Sequence, residues 1–108
     1  MMERIISETD AANVLLQIDL GWALYAGADP VALISDNAGR VPTLHCKDLS
    51  PEKGPITTGE GILPWREIID AARTSGAGLL IVENDQPGDD SIADAARSLD
   101  NLQRLLSA

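Results

Sequence analysis

Asp19, His45 and Glu83 each stand at the end of a short apolar run in this chain. The runs are Val14 to Leu20, Val41 to Lys47 and Gly78 to Asn84. Side chains alternate faces along an extended strand. Leu15, Gln17 and Asp19 therefore share one face of the first run, Thr43, His45 and Lys47 one face of the second, and Leu79, Ile81 and Glu83 one face of the third. The opposite faces (Val14, Leu16 and Ile18; Leu44 and Cys46; Leu80 and Val82) are apolar, as suits packing beneath helices. In a parallel sheet the two carboxylates and the imidazole would project from one side, near the C-terminal edge. Such a set suits a hard or borderline divalent cation: Mn, Mg, Co or Zn. The ion would hold vicinal oxygens of a polyol and acidify the adjacent C–H or O–H, and a nearby carboxylate would move the proton. Each residue also has a plainer use. Asp19 fits an N-cap of a following helix, His45 an ordinary hydrogen-bonded histidine, and Glu83 a solvated strand end.

Each run is followed by a segment with helical periodicity, which predicts parallel strands joined by crossover helices, an α/β class. The predicted βα units span 14–39, 41–75 and 78–107 in a single domain over 1–108, with a residual helical turn over 2–9. Asp29-Pro30 reads as an N-cap before a proline at the first helical position, and Gly39 as a C-terminal glycine. Pro64 opens a helix with Trp65, Ile68, Ile69 and Ala72 on one face, and Gly76 ends it. Asp89, Asp90 or Ser91 caps a third helix with Ile92, Ala96, Leu99, Leu102 and Leu106 on its apolar face. The longest irregular stretch, Asp48 to Leu63, follows a strand, on the sheet edge where α/β folds place their sites.

Composition narrows the function classes. The formal net charge of -9 repels nucleic-acid phosphates. No apolar run reaches the length of a membrane span. A single cysteine, Cys46, allows no intrachain disulfide, and a reducing cytoplasm is the expected compartment. The 44% hydrophobic content is that of a globular chain, with Ala and aliphatic residues filling a core that has little aromatic help.

NVLLQIDLGW, RVPTLHCKD, Gly59-Glu60-Gly61 and LLIVENDQ together resemble the second half of the xylose-isomerase-like sugar phosphate isomerase/epimerase superfamily, in order and spacing. The resemblance covers nearly the whole chain. It implies a partial TIM barrel, the last three of the eight βα units; a complete barrel needs roughly 250 residues. It implies a metal held by a Glu, an Asp, a His and a second Glu, of which the last three map on Asp19, His45 and Glu83. Glu83 would also act as the acid/base, and the HxKD signature maps on His45, Lys47 and Asp48. The first metal Glu of the family has no counterpart here. A His often found three residues after the metal Asp is replaced by Trp22, and an Arg six residues after the metal His by Pro51. Trp22, by stacking on a sugar face, and Lys47, by binding an oxyanion, are the substrate-binding candidates. Trp22 also fits a packing anchor, and Lys47 a partner of Asp48 or Glu83.

The expected activity is metal-dependent isomerisation or epimerisation of a sugar, sugar phosphate or polyol, by proton transfer at a metal-chelated hydroxy-ketone. The alternatives are a non-catalytic barrel fragment that oligomerises, and a metal- or sugar-binding module. A three-stranded unit would leave Leu15, Thr43, Leu79 and Ile81 uncovered, so a homo-oligomer is expected, with a small-molecule sugar as the other partner and neither nucleic acid nor membrane.

Overall fold

A computed structural model describes residues 1–108. The chain opens with α1 (Met2–Glu8) and then enters β1 (Gln17–Asp19). Arg40, almost buried, ties the two together. Its guanidinium donates to the carbonyls of Ile6 (2.9 Å) and Val14 (3.0 Å) and to the Thr9 hydroxyl (2.6 Å). β1 is shorter than its apolar run because Leu20 already belongs to a helix. Asp19 Oδ1 accepts from Trp22 N at 2.8 Å and so caps α2 (Leu20–Tyr25), the capping use weighed for it. α3 (Pro30–Asp36) follows, with Asp29 capping the amides of Val31 and Ala32 and Pro30 in the first turn, as expected. Gly39 lies beyond the cap residue Asn37. It takes a positive φ in the connection, and its N–H donates to the Ser75 carbonyl.

β2 (Thr43–Cys46) starts after Pro42, which has no N–H to give the ladder. The Pro42 carbonyl instead accepts from Gly78 and Leu79. Next come two short antiparallel strands, β3 (Asp48–Leu49) and β4 (Pro55–Ile56), inside the stretch read as irregular. α4 (Trp65–Ser75) buries Trp65, Ile68, Ile69 and Ala72 and ends on Gly76 at φ 87°, in agreement with the periodicity. β5 (Leu79–Val82) and α5 (Ser91–Ser107) complete the chain, with Asp90 capping α5 through Ala93 N.

β1, β2 and β5 form a parallel sheet in that order. Ile18 pairs with Leu44 and Leu44 with Leu80, and this face packs beneath the helices, with Ile18, Leu44 and Cys46 essentially inaccessible. The other face is open: Leu15 is 58% exposed and Leu79 55%.

The 48–63 stretch is organised by one buried carboxylate. Asp48 Oδ1 accepts from the amides of Leu49 (2.9 Å) and Leu63 (3.2 Å). Its Oδ2 accepts from Gly59 (2.9 Å), Gly61 (3.0 Å) and the Trp65 indole (2.7 Å). Gly61 is obligatory here, because a Cβ would stand 2.2 Å from the Leu49 carbonyl. The folded loop then sets the rotation of α5. Ser98 and Asn101 bond Thr58, while Asp94 and Arg97 bond Thr57. The helix therefore turns this polar flank inward with Leu102. Ile92 (82% exposed) and Leu99 (49%) face outward, a correction to the apolar face read from spacing alone.

Candidate functional site at the C-terminal edge of the sheet

The β1–β2 register places Asp19 directly beside His45. Asp19 Oδ2, the oxygen not used in capping, lies 3.6 Å from His45 Nδ1, wider than a hydrogen bond. Both side chains are partly accessible on the open face. Asp19 is thus at once the N-cap of α2 and a free acceptor at the sheet edge.

Glu83 is placed differently. The β2–β5 register pairs His45 with Ile81, so Glu83 lies one side-chain step further along, level with Lys47. Lys47, 1% exposed, is ion-paired with Glu83 and donates a hydrogen bond to Asp85. Its contact with Glu83 is Coulombic without hydrogen-bond geometry, and the buried Glu83 Oε2 has no hydrogen-bond partner. The lysine stem crosses Gly21, where a Cβ would come within 2.6 Å of Lys47 Cγ. The ammonium then lies 5.1 Å from the centre of the Trp22 ring, a cation–π distance. Trp22 is half exposed and meets Tyr25 edge to face at 5.3 Å. Of the uses weighed for Lys47, pairing with Glu83 is the one seen. Asp48 turns away into its loop.

The sheet therefore brings Asp19 to His45 and Lys47 to Glu83, but no three His, Cys, Asp or Glu side chains are gathered as a ready ligand group. The donor set still fits a divalent ion chemically: one carboxylate oxygen outside the cap, one imidazole nitrogen and one buried carboxylate oxygen that is ion-paired with Lys47 but accepts no hydrogen bond. Asp85 and Gly21 were not singled out from the sequence. The signal for Asp85 was its parity with Glu83, two residues on but past the strand end. The signal for Gly21 was a glycine beside the strand edge facing a long side chain.

Charge in the cluster is strongly biased. Burial pulls the Lys47 ammonium down, but its hydrogen bond to Asp85 and the negative charges of Glu83 and Asp19 outweigh this and hold it above the ordinary lysine range. Asp85 is correspondingly held below the usual carboxylate value by the Lys47 hydrogen bond. Burial pushes the Cys46 thiol up to about 12, so it is a neutral core group on the helix side of the sheet. A mainly apolar groove of about 440 Å³ runs between α1, β1 and α2, with Gln17, Asp19 and Trp22 in its wall.

The chain belongs to the xylose isomerase-like TIM barrel family, whose model matches residues 1–104. An inosose dehydratase from Clostridium beijerinckii is 33% identical over 48 residues, which make up 44% of this chain and 16% of that protein. Two crystal structures described as sugar phosphate isomerase/epimerase, both from Parabacteroides distasonis ATCC 8503, each superpose with a TM-score of 0.74 over 99% of this chain. Their identities are 22% and 24%, and the match covers 36% and 34% of their lengths. The fold is accordingly a partial TIM barrel, and the chain spans about a third of the solved barrels it matches. No helix is long and apolar enough to cross a membrane.

Proposed function

We propose that the chain supplies Asp19, His45 and Glu83 to a divalent-metal site for isomerisation or epimerisation of a sugar, sugar phosphate or polyol. The observation that carries this reading is the register. It sets Asp19 Oδ2 and His45 Nδ1 side by side at the C-terminal edge of the sheet, where TIM barrels place their chemistry. Glu83 Oε2, ion-paired with Lys47 just past the end of the adjacent strand, would be the third donor. A bound Mn, Mg, Co or Zn ion would polarise the vicinal oxygens of a hydroxy-ketone and acidify the neighbouring C–H.

The chain's own residues have distinct tasks. Asp19 is oriented by the α2 cap, which fixes one oxygen and leaves the other to ligate. His45 offers Nδ1 beside it. Glu83 takes the proton from the substrate carbon and returns it. The half-exposed Trp22 face offers a stacking surface for a sugar ring, and Lys47 holds the Glu83 carboxylate by charge beside it. Dehydration of a keto-polyol uses the same first proton abstraction, and the similarity to an inosose dehydratase supports including it.

The absence of a ready three-ligand group supports a second reading, a non-catalytic barrel fragment. The open sheet face supports association into a homo-oligomer, and the single free thiol supports a reducing cytoplasmic setting.

The test is proton exchange into a panel of ketoses in D₂O with Mn²⁺ present. Deuterium should enter the carbon beside the carbonyl, and Glu83→Gln should slow its entry by about 100-fold or more. Absence of exchange into every ketose would favour the second reading.

A further inference from the structure

Lys47 poses a problem for the metal reading that Asp85 resolves. The ammonium is buried against Glu83, a proposed ligand, and a cation on Glu83 would compete with it for the same carboxylate. An ammonium left without a partner in that position would be costly. The structure provides a second partner. Asp85 accepts a hydrogen bond from Lys47, whereas the Glu83 contact lacks hydrogen-bond geometry.

Asp85 is also held in place independently of Lys47. Asn84 Oδ1 accepts from Gln86 N at 2.9 Å, closing a turn around Asp85. Asn84 Nδ2 donates to Asp94 Oδ2 at 3.1 Å, which pins that turn to α5. The Gly21 gap keeps the lysine stem in its track, and Trp22 closes the track at 5.1 Å. The ammonium is therefore confined between two carboxylates, one anchored through its turn and the other in an ion pair without a hydrogen bond.

We infer that Asp85 is a positioning residue that retains Lys47 and thereby releases Glu83 to ligate the metal. This rests on the metal site proposed above. Asp85 is not a ligand in this account, and its influence passes through Lys47. A nearby carboxylate also attracts a cation directly, so a single substitution does not separate the two effects. A double-mutant cycle does.

Free Mn²⁺ is measured by electron paramagnetic resonance while each protein is titrated: the unaltered chain, Asp85→Asn, Lys47→Met and the double variant. Asp85→Asn should weaken Mn²⁺ binding about tenfold when Lys47 is present and less than about twofold in the Lys47→Met background. Asp85→Glu should bind within a few-fold of the unaltered chain. Equal weakening in both backgrounds overturns the inference, because Asp85 would then act on the ion through space. If Lys47→Met fails to fold, Lys47→Gln takes its place in the cycle with the same criterion. No Mn²⁺ uptake by the folded, unaltered chain overturns the metal site and the inference together. Uptake without the cycle's asymmetry overturns the inference alone.

Discussion

Asp19 divides its two oxygens between structure and site, one on the Trp22 amide and one toward His45. The capping use and the ligand use weighed from the sequence are therefore compatible. Side-chain parity put Asp19 and His45 on one face, and their strands pair them directly; Glu83 lies one residue past the end of β5. Parity could not find the one-step offset that gives Glu83 to Lys47, because register between strands is set by pairing and not by the pattern within each. Asp85 lies past the end of β5, where alternation no longer applies. Asp48 was visible only as part of a tetrapeptide signature, yet it accepts from four backbone amides and the Trp65 indole. Asp48→Ala would leave these buried donors without their acceptor. The expected loss is about 3 kcal/mol or more of unfolding free energy, measured by urea denaturation. A loss below about 1 kcal/mol would show that the loop does not depend on this carboxylate.

β1, β2 and β5, and the helix over 65–75, were legible because their patterns are local: apolar alternation, a proline start and a glycine stop. α2 was legible only as a capping use of Asp19, since its six residues carry no periodicity. The rotation of α5 was not legible either. Its apolar residues permit more than one inward face, and the bonds from Thr57 and Thr58 select the flank carrying Ser98, Asn101 and Leu102. This makes a direct contrast available. Leu102→Ala should destabilise by about 2–5 kcal/mol, as for a buried leucine. Leu99→Ala should cost under about 1 kcal/mol, as for a half-exposed one. Thermal or urea unfolding of the two variants checks the rotation, and equal losses would contradict it.

At the scale of the whole chain, the fold spans about a third of the solved barrels it matches, with its helices on one face of the sheet and the other face bare. β1 and β5 each have a free edge as well. Exposed apolar side chains beside unpaired strand edges favour association. Sedimentation of the chain at low micromolar concentration should give a homo-oligomer, and a stable monomer would contradict that proposal. The family membership was legible at this scale, because three ordered strand-end motifs span the chain. The covering of the open face was not, since no residue pattern within the chain specifies what pairs with an edge.

The central claim is that Asp19, His45 and Glu83 bind a divalent ion, and Mn²⁺ titration of the unaltered chain beside His45→Ala tests it most directly. His45 is partly accessible at the sheet edge, so its truncation should leave the fold standing. The unaltered chain should bind Mn²⁺ saturably, and His45→Ala should bind it at least about tenfold more weakly, the scale expected when a site loses a ligand or its support. Equal binding by the two proteins would contradict that claim.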